Sequence, residues 1–145
     1  MLFARLQVLL AALWSGFLLC IAFVAAPSAF AVLERAQAGL LVGRLFALDA
    51  QVSLAAALLL LLMERRLARD ASGTRSVFTV QLLLPAVALF CTVAGYYGLQ
   101  PLLADARAGV GVASFGALHG ASLAFFAIKG CSVLALAWFS LKRAS

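Results

Sequence analysis

At 145 residues the chain has room for one domain, and 66% of it is hydrophobic against only 11% charged, well above the roughly 45–50% apolar usage of soluble domains. A soluble fold this small cannot hide so much apolar surface, so the composition, with a mean hydropathy of +1.14, excludes a water-soluble globule and selects an integral membrane protein. The net charge of +6 does not indicate nucleic acid: the basic residues gather at the ends of apolar runs instead of forming one basic face, so no nucleic-acid partner is expected.

In chain order, four apolar segments run from about Leu6 to Ala26, Leu40 to Met63, Val77 to Leu99 and Val112 to Leu141. Each reaches the roughly 20 residues that cross a hydrocarbon core about 30 Å thick. Only helices and closed barrels satisfy their backbone in lipid, and continuous apolar runs lack the alternation of barrel strands. The expected fold is therefore an all-α four-helix bundle, one transmembrane domain over residues 1–145, with the lipid bilayer as its partner.

The first segment resembles a signal peptide because Ala29-Phe30-Ala31 looks like a small-residue cleavage site. Its apolar run is longer than a usual signal core, and it reads as a span. Trp14 lies deep in it and is expected to pack between helices. Gly16 with Cys20 forms a small-xxx-small pair suited to close helix packing. After Pro27, Ser28 can cap a short helix, SAFAVLERAQA, ending near Gly39. Phe30 and Leu33 share one face of it and Glu34 and Arg35 the other, which predicts a brief interfacial helix between the first two spans.

The second segment carries Asp49 and Ser53 four residues apart, hence on one face. A loop from Glu64 to Ser76 follows, with Asp70-Ala71-Ser72-Gly73 as its turn. Pro85 predicts a kink in the third span. Tyr96, Tyr97 and Trp138 sit near span ends and fit an aromatic belt. The fourth segment contains Gly116 and Gly120 as a GxxxG pair, expected to let a helix of this chain or of a second copy approach closely. Cys20, Cys91 and Cys131 fall inside apolar runs without CxxC spacing and read as small packing residues.

Orientation follows from counting Lys and Arg. Arg5, the loop Arg65, Arg66, Arg69 and Arg75, and the tail Lys142 and Arg143 lie on one side; Arg35, Arg44 and Arg107 lie on the other. Both termini and the Glu64–Ser76 loop are therefore expected on the cytoplasmic face.

Charges inside a span cost several kcal/mol unless they meet a partner or a wet cavity. Lys129 lies about 21 Å along the fourth span from Phe115, at roughly 1.5 Å per residue. Helical side chains tilt toward the helix N-terminus, which here points away from the nearer surface, so Lys129 is expected to turn into the bundle. A snorkelling lysine is the plainer alternative. His119, the sole histidine, lies at about the level of Asp49, and the two could pair, with the carboxylate orienting the imidazole. Ser122 and Lys129 share a broad sector of the helix with His119. A polar cluster of Arg44, Asp49, Ser53, His119, Ser122 and Lys129 is thus compatible with helix geometry. It would serve either as hydrogen-bonded glue between helices or as the lining of a cavity that binds or passes a small solute or ion.

No HExxH, Walker loop, paired catalytic carboxylates or Ser-His-Asp set is present, so catalysis is not expected. One histidine and scattered cysteines supply few metal ligands, and no metal or cofactor is expected. Haem needs only one or two axial ligands, which leaves His119 as a candidate haem ligand. A third alternative is an assembly subunit held to a homo-oligomeric or other membrane partner by the GxxxG face.

The stretches LWSGFLLCIAFVAAPSAF, ERAQAGLLVGRLFALDA, FCTVAGYYGLQP and SFGALHGAS together resemble the transmembrane protein 205-like family, from about Leu13 to Leu141. The most specific blocks are Ala26-Pro27 before Phe30, Ala38-Gly39 with Gly43-Arg44-Leu45-Phe46, and Phe115-Gly116 with His119. The resemblance implies a four-span bundle of unknown function, in bacteria an inner-membrane protein. Its eukaryotic relatives are associated with resistance to a platinum drug. The layout is also similar to families tied to copper handling and to a haem-dependent protoporphyrinogen oxidase, whose histidine sets are richer.

Overall fold

A computed structural model describes residues 2–70 and 79–144. The chain builds α1 (Leu2–Cys20), a wide π turn (Ile21–Ala25), α2 (Ala26–Val32), α3 (Arg35–Asp70), α4 (Val80–Thr92), a second π turn (Val93–Gly98), α5 (Leu99–Arg107) and α6 (Phe115–Ala144). Among the described residues there are no strands. Four helical stretches, Leu2–Val32, Arg35–Arg69, Val80–Arg107 and Phe115–Arg143, are long and apolar enough to cross a membrane, and the chain is a multi-pass all-α membrane protein. Neighbouring helices follow one another around a ring: α1 packs on α3, α3 on α4, α4 on α6 and α6 back on α1. This leaves α3 and α6 facing each other across the diagonal.

The short helix expected between the first two spans is present as Ala26–Val32, but it starts earlier and continues directly from α1. Pro27, in its first turn, has no N–H to return to the preceding turn, and the wide turn Ile21–Ala25 sits directly before it. The chain breaks only at Leu33, which is extended at φ −102° and ψ 154°. Arg35 then begins α3, so the second half of SAFAVLERAQA belongs to the second span.

Two further boundaries differ from expectation. α3 runs past Met63 to Asp70, so Glu64 to Arg69 are helical and not a loop; the predicted turn residues 71–73 lie outside the described residues. The third span continues beyond Leu99 to Arg107, which puts Tyr96 and Tyr97 inside it instead of at its end. Pro85 sits buried within α4.

Local chemistry fixes the ends. Thr79 Oγ1 accepts the Leu82 N–H at 3.3 Å and caps α4. Ser114 Oγ accepts the Ala117 N–H at 3.2 Å and caps α6. After α5 the chain turns at Gly109, whose φ of +74° needs a residue without a Cβ penalty. Gly109 N–H reaches Ala106 O and Val110 N–H reaches Asp105 O, the paired bonds that satisfy carbonyls at a helix C-terminus.

The apolar core is built from Ala11, Trp14 and Leu18 of α1, Ala56, Ala57 and Leu60 of α3, Ala88 of α4, and Val133 and Leu136 of α6. The alanines let the backbones come close. Outside this core, large apolar side chains such as Phe23, Leu62, Leu83 and Phe90 face outward, as lipid contact requires.

Candidate functional site

A buried polar group forms a four-residue chain of hydrogen bonds through α1, α3 and α6. Lys129 Nζ meets Asp49 Oδ2 at 2.5 Å. Ser53 Oγ, one turn below Asp49, donates to Asp49 Oδ1 at 3.1 Å. Trp14 Nε1 donates to Ser53 Oγ at 3.1 Å. Lys129 also points at Ser53 Oγ from 3.4 Å and lies 4.8 Å from the Phe126 ring centroid. Asp49 and Lys129 are only 2% and 4% exposed. A buried ammonium and carboxylate hold their charge only when paired and further hydrogen-bonded, and each has such support here. α3 and α6 are diagonal in the ring, so a long lysine side chain is what reaches across.

Above this pair, a cavity of about 710 Å³ opens between α3, the third span and α6, within the roughly 300–1,000 Å³ typical of small-molecule pockets. Asp49, Lys129 and Thr92 lie at its inner end, and Phe46, Leu123 and Phe126 line its walls. Arg35, Arg107 and Phe115, at the helix ends, mark its mouth. Arg107 lies over the Phe115 ring at 5.1 Å. The same ring stacks on His119, with centroids 5.7 Å apart and planes 9° from parallel. A more open pocket of about 580 Å³ alongside shares Gly39, Gly43, Tyr96 and Arg107 with it.

The second π turn shapes this wall. Widening the helix at Val93–Gly98 turns a carbonyl outward, and Ser122 Oγ donates to Gly95 O at 3.4 Å. A Cβ on Gly95 would lie 2.5 Å from Phe125 Cβ, so this glycine is where the third span and α6 make their close approach.

Asp49, His119, Ser122 and Lys129 all border the one cavity, and Ser53 lies behind its inner end. Arg44 is exposed and is not among the lining residues; it falls on a different face of α3 from Asp49 and Ser53. The pair that Asp49 and His119 could make is not formed: Lys129 and Ser53 occupy the carboxylate, while the imidazole stacks on Phe115. Gly16, Gly116 and Gly120 have nothing within 4 Å of a Cβ built on them, so they make no close helix packing within this chain. Cys91 is buried beside the cavity, whereas Cys20 and Cys131 are exposed and do not serve the core. Among the described residues, no three His, Cys, Asp or Glu side chains gather as a metal-binding group.

A second buried network escaped the sequence reading. Glu64, 1% exposed, is gripped by Arg143 through Nη1 at 2.9 Å and Nη2 at 2.7 Å. Gln7 Nε2 donates to Glu64 Oε2 at 2.9 Å, and Gln7 Oε1 accepts from Arg143 at 2.6 Å. Thr79 Oγ1 donates to Glu64 Oε1 at 3.4 Å. One carboxylate thus ties together α1, α3, the cap of α4 and α6, closing the bundle at the end opposite the cavity mouth. The available signal was that Gln7 and Glu64 are polar residues at the edges of otherwise apolar helices.

Residues 9–110 match the family described as "Domain of unknown function (DUF4149)". The chain belongs to this family. No curated protein and no solved structure matches it significantly.

Proposed function

We propose that the protein binds a small solute within the membrane, in the cavity above the Lys129–Asp49 pair, and passes it between the bilayer's outer side and the bundle interior. The carrying observation is convergence: Asp49 from α3 and His119, Ser122 and Lys129 from α6 border a single space of about 710 Å³. Hydrogen-bonded glue alone needs no such space.

The distribution of basic residues supports the sidedness. Arg5, Arg65, Arg66, Arg69, Lys142 and Arg143 lie at the closed end with the termini, which the positive-inside rule assigns to the cytoplasm. The cavity mouth then faces outward. The order of the motif blocks supports a wider kinship with the transmembrane protein 205-like family, and with it a bacterial inner membrane.

The test uses the space itself. Gly43 lines the cavity and a Cβ built on it meets nothing within 4 Å, so Gly43→Phe adds a bulky side chain at the lining. Purified wild-type protein in nanodiscs is screened by thermal shift against a panel of small acids, bases and neutral solutes. Solutes that raise the wild-type Tm are expected to leave Gly43→Phe unchanged; shifts of equal size in both proteins would sink the reading. For sidedness, Arg69→Cys and Arg107→Cys should be labelled by an impermeant reagent from opposite faces.

A further inference from the structure

Resting on that reading, we infer that the solute is an amphipathic anion, held with its acidic group at the cavity mouth and its apolar body inside. The charges of the lining decide this. It carries two kinds of cation. Lys129 is already neutralised by Asp49 and further bonded to Ser53. Arg35 and Arg107, at the mouth, are in neither of the ion pairs found among the described residues, which are Lys129–Asp49 and Arg143–Glu64. Asp49 is the one acidic residue among the lining residues. The lining is therefore basic at its rim, with the exposed Glu34 and Asp105 nearby but outside it, and charge-balanced at its floor.

Between the two the walls are mainly apolar, with Phe46, Leu123 and Phe126, and carry His119 and Ser122 as polar side chains at that depth. A fully hydrophilic anion would lose its water against the apolar walls and regain only the few hydrogen bonds that His119, Ser122 and their polar neighbours offer. A cation would meet two unneutralised guanidinium groups on entry. A molecule with an apolar body and one carboxylate, sulfonate or phosphate satisfies both regions, and planar guanidinium groups suit such acids because they donate in a fork. The ligand can come from water or from the bilayer; an acidic lipid has the same chemistry.

The experiment measures equilibrium binding of three matched probes to the protein in phosphatidylcholine nanodiscs, with empty nanodiscs subtracted. The probes are naphthalene sulfonate, naphthol and naphthyl trimethylammonium. Saturable binding of the sulfonate in preference to the other two is expected, weakened about tenfold by Arg107→Gln or Arg35→Gln, the loss of one charge-assisted contact. Equal binding of naphthol and sulfonate, untouched by either arginine variant, would overturn the anion assignment while leaving the cavity reading intact. Preferential binding of the trimethylammonium probe would overturn it as well. Binding that persists in Gly43→Phe would instead remove the cavity reading beneath it. Adding phosphatidylglycerol separates the sources: competition with the sulfonate supports a lipid acid, and unchanged binding supports an acid taken from water.

Discussion

Arg143 holds Glu64 through both terminal nitrogens, at 2.9 and 2.7 Å, across the diagonal of the bundle. A planar fork fits a carboxylate in this way and a lysine ammonium cannot. Arg143→Lys should therefore keep the charge yet lower stability by about 1–2 kcal/mol, and Arg143→Gln by more, because Glu64 then keeps only Gln7 and Thr79. Unfolding of the purified protein in mixed micelles measures both; a lysine variant as stable as wild type would show the fork to be dispensable.

Lys129 and Asp49 should behave as a coupled unit. Either single substitution, Lys129→Met or Asp49→Asn, leaves one buried charge unpaired and should cost about 3–5 kcal/mol. The double variant should cost clearly less than the sum, since nothing charged remains to be stranded. Additive losses in the same unfolding assay would mean that the two groups do not interact.

Glycine substitutions should sort by contact and not by motif. Gly95→Ala drives a methyl into Phe125 Cβ, 2.5 Å away, and because that atom adjoins the backbone it cannot swing aside. A loss of about 1–3 kcal/mol is expected, unrelieved by Phe125→Ala, which retains the Cβ. Gly116→Ala and Gly120→Ala meet open space and should stay within about 0.5 kcal/mol of wild type in the monomer.

Water should enter the cavity and stop at its floor. On a background without native cysteines, Ala36→Cys and Leu123→Cys, both at lining positions, should react with a water-soluble maleimide in intact membranes. Ala57→Cys, in the fully buried core, should react only after unfolding. Equal protection of all three positions would mean a dry interior.

What could be read from the sequence follows from how local the signal is. Hydropathy gave the four spans because each is a continuous run. The inward turn of Lys129 followed from the tilt of helical side chains, and the depth of Trp14 placed it between helices, where it bonds Ser53. Partner choice was harder, because it depends on which helices face across the diagonal. Depth alone allows Asp49 to pair with His119, but the imidazole stacks on Phe115 while the longer lysine reaches the carboxylate. The Glu64–Arg143 clamp was not legible, since a charge at the end of an apolar run looks the same whether it faces water or ties the bundle together. The wide turn at Val93–Gly98 had only Gly95 and Gly98 as a trace.

The two charged bridges also act on sliding. Asp49 and Glu64 sit on α3, and Lys129 and Arg143 sit on α6, joined at both levels. Two rivets through the same pair of parallel rods fix their register: slipping either rod by one turn would shear both at once. If a solute enters the cavity as proposed, a rearrangement that spares this pair would fall on the third span, whose wider turn at Val93–Gly98 borders the cavity through Gly95 and Tyr96.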